Sequence, residues 1–160
     1  MTQPSSYDVC AVGNAIVDVL APCDPAFLEA QGLTAGSMQL VDAERSAALY
    51  AAMNAGVEAS GGSAGNTVAG VGSFGGRAAY IGKVADDQLG GVFTHDIHAV
   101  GVRFATPPLA DGAAAGLATG VCMINVTPDG QRTMCTFLGA ANQLSVDDID
   151  ADLIGASAIV

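Results

Sequence analysis

The sequence predicts an α/β protein whose central sheet is mainly parallel. Short apolar runs with β propensity alternate with segments of helical periodicity, in the order strand, helix, strand, helix, strand. Two of the helical segments carry acidic capping residues at their starts and glycines at their ends. With 51% apolar residues, the 160-residue chain has ample material for a packed core, either as one domain or as part of a larger one.

The first part of the chain is predicted to contain three strands and a helix. Gly13-Asn14 ends the first strand, Asp42 is placed to cap the helix, and Gly56 ends it. The second strand carries a lone carboxylate, Asp18, within an apolar run. In order, the expected segments are strand 7–12, strand 16–21, turn-rich 23–37, strand 38–41 and helix 44–54.

The stretch 60–91 is predicted to hold a substrate-binding loop. It opens with the glycine pair Gly61-Gly62, continues with small polar residues, and leads into a helix of small residues. Glycine lets a ligand approach the backbone without a Cβ in the way, and the first turn of a helix leaves N–H groups unpaired. The strand 78–82 and an acidic turn, Asp86-Asp87, which is expected to cap a helix to about residue 100, complete the stretch.

The last third of the chain is predicted to start with a short strand and to form a hairpin. A strand is expected at 102–105, and a Pro-Asp-Gly turn joins two β-type runs within 116–138. Ser145 and Asp148 match a capping box that opens a short helix. Residues 158–160 resemble the start of another core strand, whose uncovered faces indicate the front part of a longer protein.

Three segments do not fit the alternation of strands and helices, and they are expected to form a separate small sheet. Such a sheet would lie beside the parallel one and would cover a ligand held at the glycine pair. The segments are 16–21, 38–41 and 116–138.

Charge and composition exclude several classes of function. The net charge of −11, with only five Lys and Arg, is the wrong sign for nucleic-acid binding and disfavours anionic membranes. No apolar run approaches the roughly 20 residues of a membrane span, and the start lacks a secretory signal, which predicts a cytoplasmic location. The four cysteines have no C-x-x-C pair, so they are interpreted as reduced, with Cys10, Cys122 and Cys135 buried in strands, and no metal site is predicted.

Several local patterns have competing interpretations. Residues 70–75 read G-x-G-x-x-G, but a dinucleotide fingerprint needs a strand before it and a helix after it, and here the order is reversed. Asp18 is either a solvent-facing residue of an edge strand or an acceptor for the hydroxyls of a sugar diol. Asn14 and Asn66 each offer a donor and an acceptor that suit hydroxyls, although either fits a turn or a cap. His95 and His98 are expected on the solvent face of their helix.

Taken together, these segments resemble the ribokinase-like carbohydrate and nucleoside kinases, the PfkB family. The resemblance covers essentially the whole chain, and two positions depart from the family pattern, Val68 and Ala85. Both departures are small apolar changes, which affect packing more than recognition. The matching motifs are Gly13 to Asp18, Gly61 to Asn66, Gly75-Gly76, Ile81 to Val84, Asp86 to Gly90, Thr119 to Val121 and Gly139 to Asn142.

The resemblance implies a ribokinase-like, doubly wound α/β core, with a β-sheet lid formed by segments near 14–22, 36–42 and 116–138. It implies ATP-dependent phosphorylation of a hydroxyl of a sugar or nucleoside, with Mg²⁺, and its motifs are most similar to the adenosine-kinase branch, with ribokinase- and fructokinase-type sugar kinases as the alternative. The acceptor's hydroxyls would be held by Asn14, Asp18, Gly61, Gly62, Ser63 and Asn66. Lid strands can pair between subunits in this family, so the resemblance is compatible with a homodimer.

The resemblance also implies that residues 1–160 are the N-terminal part of a kinase domain whose ATP-binding half is absent. The family's catalytic Asp lies in a Gly-Ala-Gly-Asp motif, and the family's Asn-x-x-Glu motif is associated with metal and phosphate. This sequence contains neither motif, so both are expected downstream of Val160, and the chain alone is expected not to phosphorylate a substrate. Two other hypotheses stay open at this point: a stand-alone sugar- or nucleoside-binding module, and a nicotinamide-dependent Rossmann protein, which requires a strand directly before Gly70.

Overall fold

A computed structural model describes residues 6–160 of the chain. Residues 1–5, which form part of the segment interpreted as lacking a secretory signal, lie outside the described residues. The helices are α1 Pro25–Ala30, α2 Ala43–Ala52, α3 Ser63–Ser73, α4 Gln88–Ala99 and α5 Ala151–Gly155. The strands are β1 Tyr7–Val12, β2 Ile16–Pro22, β3 Met38–Leu40, β4 Val57–Gly61, β5 Ala78–Ile81, β6 Arg103–Phe104, β7 Gly120–Val126, β8 Arg132–Phe137 and β9 Ser157–Ile159.

The first sheet is parallel throughout and has the strand order β6-β5-β1-β9. Helix α3 packs against β1 and β5, and α4 packs against β6. On the other face, Leu153 of α5 packs on Cys10, Ala79 and Ile81. Helices therefore cover both faces of a parallel sheet, and the predicted doubly wound α/β class is confirmed.

The main core lies between the first sheet and α4, and its centre is aromatic. The rings of Tyr80, Phe93 and Phe104 pack with centroids 5.4–5.8 Å apart in tilted or edge-on arrangements. The same apolar cluster continues through Val17, Val121 and other residues of the second sheet. The two sheets thus share one core.

The second sheet is mixed and has the strand order β3-β8-β7-β2-β4. β7 and β8 form an antiparallel hairpin, β2 runs parallel to β7, and β4 runs antiparallel to β2. The segments predicted to stand apart from the parallel sheet supply four of its five strands. The fifth, β4, was not predicted, because Val57–Gly61 lacks β-type alternation and ends in glycine.

Three further expectations about local structure were wrong in detail. The turn-rich segment contains α1, which Asp24 caps by accepting a hydrogen bond from the Phe27 N–H. The hairpin's first strand starts at Gly120 rather than 116. Ser145 does open a capping box, but the box ends in a 3₁₀ turn, Val146–Asp148, and α5 starts separately behind Asp150. Short polar segments can form caps or turns equally well, and tertiary packing selects between them.

The structure decides between the interpretations of the glycine motif and of the cysteines. Gly70 lies inside α3 and a strand follows the motif, so the order required for a nicotinamide-dependent Rossmann protein is absent from this stretch of the described residues. All four cysteines are buried and free. Within residues 6–160, no helix is long and apolar enough to span a bilayer.

Candidate ligand-binding site

The carboxylate of Asp18 lies directly against the backbone of Gly61. Asp18 is the third residue of β2, and its neighbour across the antiparallel β2–β4 pair is Ala59, two residues before Gly61. A Cβ built on Gly61 would lie 2.4–2.5 Å from Cγ and both oxygens of Asp18. Position 61 therefore has room for a hydrogen atom only while the carboxylate keeps this place.

The Asp18 carboxylate is half-buried and takes part in none of the side-chain hydrogen bonds formed by residues 6–160. Burial raises the pKa of Asp18 above its ordinary value. A half-buried carboxylate without donors is unfavourable for folding, and ligand hydroxyls would supply the missing hydrogen bonds. This geometry favours the hydroxyl-acceptor interpretation of Asp18 over the solvent-facing one.

The start of α3 lies beside this carboxylate. Gly62 is the N-cap residue, its φ is +83°, and no side chain caps the helix. The first N–H groups of α3 are therefore free to donate hydrogen bonds to a polar ligand. The positive φ and the close approach of the Asn14 carbonyl oxygen, 2.5 Å from a Cβ built on Gly62, both require glycine at this position.

The remaining predicted site residues lie around the same point. The loop that contains Asn14 packs on α3, since a Cβ on Gly13 would lie 2.7 Å from the Cβ of Ala64. Ser63 is the first residue of α3, and the Asn66 N–H donates to the Gly62 carbonyl oxygen at 2.8 Å, one turn further on. Asn14, Ser63 and Asn66 are all exposed. The six residues predicted from the motifs are thus adjacent in space, and their contact with a ligand stays a prediction.

Asp18 is surrounded by apolar side chains on one face of the mixed sheet, which we term the Asp18 face. Residues in register across neighbouring strands point to the same face, and the register aligns Asp18 with Cys122, and Cys122 with Thr136. Ile16, Cys122 and Ile124 form a buried cluster here, against which Met134 and Leu138 pack. Further out, Leu20, Met38, Leu40 and Val57 are exposed. The face is an apolar surface with a single carboxylate near its end.

The sequence did not reveal the residues of the Asp18 face. Alternation usually separates the two faces of a strand, but in β7 both faces are apolar, with Val121 and Met123 in the main core and Cys122 and Ile124 on the Asp18 face. The only signal that could have found them is the register with β2, which depends on tertiary structure.

A cleft of about 450 Å³ lies behind the same sheet, on the opposite face. Its walls include Tyr50 of α2, Leu89 of α4, and Val121 and Phe137 of the hairpin. Because Val121 and Phe137 alternate with Cys122 and Thr136, the mixed sheet separates this cleft from Asp18. The cleft is therefore not part of the Asp18 site.

The described residues do not group metal ligands, and two of their cations are paired with carboxylates. Within residues 6–160, no group of three or more His, Cys, Asp or Glu side chains is placed to hold a metal ion. Lys83 is largely buried and is paired with Asp148, with Nζ 2.5 Å from Oδ1. Arg77 is paired with Asp8, with Nη2 2.7 Å from Oδ1. The chemistry that this arrangement supports is the binding and orientation of a polar, hydroxyl-bearing ligand.

Comparison with known proteins gives matches over nearly the whole chain. A family model described as pfkB family carbohydrate kinase matches residues 27–160. The chain is similar to an adenosine kinase from Sinorhizobium meliloti, with 54% identity and a TM-score of 0.86. It is also similar to a probable sugar kinase protein from Rhizobium etli, with 48% identity and a TM-score of 0.87.

These comparisons cover 96% of this chain, but only 46% and 45% of the two proteins. An adenosine kinase from Anopheles gambiae in complex with P1,P4-di(adenosine-5) tetraphosphate has the same fold at 21% identity, with a TM-score of 0.77 over 92% of this chain and 44% of that one. The chain therefore spans less than half the length of each of these three solved structures.

Proposed function

Because the chain belongs to the pfkB family of carbohydrate kinases, we propose that it carries the acceptor-binding half of a kinase that phosphorylates a nucleoside similar to adenosine. In this proposal the γ-phosphoryl group passes from ATP to an acceptor hydroxyl: the new O–P bond forms as the β–γ bond breaks, ADP leaves, and the hydroxyl gives up its proton. The residues of this chain bind and orient that hydroxyl, and such positioning is, with charge stabilisation, one of the two main contributions to catalysis in phosphoryl transfer.

One observation carries the proposal: an unpaired, half-buried carboxylate lies beside the uncapped start of a helix. Asp18 can accept two hydroxyl hydrogen bonds, while the first N–H groups of α3 can donate to hydroxyl oxygens. A ribose diol has donors and acceptors on adjacent carbons, so it can satisfy both groups at once. Gly61 and Gly62 allow the diol to approach the backbone closely.

The Asp18 face supports a nucleoside rather than a free sugar as acceptor. Its side chains beyond the carboxylate are mostly apolar, including Ile16, Ile124 and Met134. A planar base would bury apolar area on this face, at roughly 25 cal/mol per Å². The outer hydroxyls of a free sugar would lose water there without gaining partners. The similarity to the Sinorhizobium meliloti adenosine kinase supports the same choice.

ATP would supply the phosphoryl group and Mg²⁺ would neutralise its charge, but residues 6–160 do not contain a group of side chains placed to hold the metal ion. We therefore assign neither of them a site on this chain. A cytoplasmic location and pairing of two copies through the mixed sheet stay predictions of the same proposal.

A ligand panel tests the proposal. Adenosine, inosine, ribose and fructose are titrated into the chain by isothermal calorimetry, with thermal shift as a second readout. We expect adenosine to bind and to raise the melting temperature of the chain. Ribose should bind more weakly, because it lacks the binding free energy that the base of adenosine contributes. Tighter binding of ribose or fructose than of either nucleoside would replace the nucleoside acceptor with a sugar. A panel without any binding would overturn the proposal.

A further inference from the structure

A compact set of hydrogen bonds joins the two sheets at the N-terminus of α4. Asp87 is the N-cap residue of α4, and its Oδ1 accepts hydrogen bonds from the Gly90 N–H at 2.8 Å and from the Thr119 hydroxyl at 2.7 Å. Its Oδ2 accepts from the Thr119 N–H at 2.8 Å. The Thr119 hydroxyl oxygen in turn accepts from the Ala85 N–H at 2.9 Å. We term Ala85, Asp87, Gly90 and Thr119 the junction.

The junction is closely packed, and its members other than the partly exposed Asp87 are buried. Thr119 is only 1% exposed. A Cβ built on Gly90 would lie 2.1 Å from the Ala85 carbonyl oxygen and 3.1 Å from the Thr119 hydroxyl oxygen. The first turn of α4 therefore lies in direct contact with the loop that follows β5. A larger residue at position 90 would push α4 away from Ala85 and Thr119 and lengthen the hydrogen bonds between them.

The bonds of Asp87 exceed what a helix cap requires. An N-cap side chain needs one oxygen to accept from the first turn, as Asp42 does for α2 with its Oδ1. Asp87 uses Oδ1 for that purpose, while Oδ2 bonds a residue 32 positions away in the chain. The second oxygen thus contributes nothing to the cap and fixes the segment that enters the mixed sheet.

That segment leads directly to the candidate site. Thr119 immediately precedes β7, Gly120 is in register with Ile16, and Cys122 is in register with Asp18. At this crossing the strands are close, because a Cβ on Gly120 would lie 2.8 Å from the Leu138 carbonyl oxygen and 3.2 Å from that of Ala15. A displacement of Thr119 would therefore move β7 and, through the β2–β7 ladder, Asp18.

We propose that Asp87 and Thr119 are positioning residues, which hold the mixed sheet at the place where Asp18 meets a ligand bound at the start of α3. Helix α3 packs on the parallel sheet through β1 and β5, while its first residue follows β4 of the mixed sheet, which also contains Asp18 in β2. The direction of the first N–H groups of α3 relative to Asp18 therefore depends on how the two sheets are joined. This inference rests on the proposed function for the identity of the ligand. In an enzyme, a misplacement of about 1 Å of the groups that orient a substrate can lower the reaction rate by about a hundredfold.

The test separates positioning from stability with two disrupting variants and two controls. Thr119→Val removes the hydroxyl, and Asp87→Asn replaces one accepting oxygen with an NH₂ group that cannot accept. Thr119→Ser keeps the hydroxyl, and Asp42→Asn alters a helix cap elsewhere. We expect the Kd for adenosine to rise about tenfold or more in the disrupting variants and to stay within about threefold of the wild-type value in the controls. The titrations are run without urea, at a temperature below the melting temperature of each variant, so that every chain is folded.

Amide hydrogen exchange gives a readout that needs no ligand. We expect faster exchange in β2 and β7 for Thr119→Val and Asp87→Asn, and wild-type exchange there for Asp42→Asn. If the disrupting variants only lower the urea midpoint, with unchanged Kd and unchanged exchange in these strands, the junction is purely structural and the inference is wrong. If the wild type binds none of the nucleosides or sugars, the proposed function fails, and exchange in β2 and β7 alone then decides for or against positioning.

Discussion

Replacing Gly61 with alanine is the most direct perturbation of the candidate site. Gly61 does not have a positive φ, so alanine is acceptable to the backbone. The added methyl group, however, would lie 2.4–2.5 Å from three atoms of the Asp18 carboxyl group. Ordinary contacts between carbon atoms are about 3.5 Å or longer, so the carboxylate must move by about 1 Å.

The expected effect of Gly61→Ala on binding is larger than its effect on stability. Hydrogen bonds to charged groups contribute about 1.5–3 kcal/mol each, so losing one of the two that Asp18 offers a diol costs about 2 kcal/mol. That corresponds to about a 30-fold rise in Kd, because 1.4 kcal/mol is about tenfold. The free energy of unfolding should fall by about 1–2 kcal/mol, since overpacking costs about 1–3 kcal/mol and the stiffer unfolded chain offsets about 0.4–1 kcal/mol of it.

Calorimetric titration with adenosine and urea unfolding measure the two effects separately. Gly70→Ala is the matched control, because a Cβ there meets open space within α3, and we expect an unchanged Kd and a gain of about 0.5–1 kcal/mol in stability. A second control repeats Gly61→Ala in an Asp18→Ala background, where the carboxylate is gone and the added methyl group should have little further effect on binding.

The reasoning is refuted if folded Gly61→Ala binds adenosine as tightly as the wild type does. The Asp18 carboxylate would then have moved without consequence, and the acceptor would have to be held elsewhere. A loss of affinity of equal size in the Asp18→Ala background would also contradict the account, since the clash would not be its cause.

Two further predictions concern buried charge. Burial raises the pKa of Asp18, so the loss of unfolding free energy from burying its charge is absent below the unfolded pKa and appears as pH rises through the folded pKa. Asp18→Asn should therefore increase the urea midpoint at neutral pH and increase it much less near about pH 4. A lower midpoint of this variant at neutral pH would contradict the reasoning. For the Lys83–Asp148 pair, with both side chains 11% exposed, Lys83→Met should cost about 3 kcal/mol in urea unfolding, and Lys83→Met with Asp148→Leu much less than the sum of the single changes. Burial raises the pKa of Asp148, but the hydrogen bonds from Lys83 and Ser145 outweigh this effect, so its pKa lies below the ordinary value. The stability that the pair contributes should therefore be lost only as pH falls through that lowered pKa. A loss of less than about 1 kcal/mol for Lys83→Met would show that solvent screens the pair.

The sequence was sufficient for the fold class because its local signals agree with the tertiary arrangement. Asp42 and Asp87 were expected to cap helices, and each accepts a hydrogen bond from the N–H three residues on. The Pro-Asp-Gly turn does join an antiparallel hairpin. The motif residues around Gly61 and Asn66 could be grouped because the chain brings them together within a few residues, and Asp18 could be added because an acid in an apolar run is rare.

The parts that the sequence did not predict depend on contacts between distant segments. β4 forms a strand because β2 lies beside it, although Val57 is largely exposed. The Asp18 face becomes visible only when β7 is in register with β2, and the second role of Asp87 only when Thr119 lies next to α4. A capping residue looks the same in the sequence whether it uses one carboxylate oxygen or both.

Burial of the Asp18 carboxylate lowers the stability of the fold, and the requirements of folding do not explain why a carboxylate lies at this place. An apolar residue at this place would extend the cluster of Ile16, Cys122 and Ile124 without the desolvation of a carboxylate, and the β2–β4 pairing needs only the backbone. Gly61 adds to the cost, because a strand residue without a side chain contributes no packing. The two unfavourable choices are adjacent, and each has its use when a hydroxyl-bearing ligand occupies the space that they create. A ligand that donates to the carboxylate would lower the pKa of Asp18, so its affinity should weaken as pH falls through the raised pKa of the free chain.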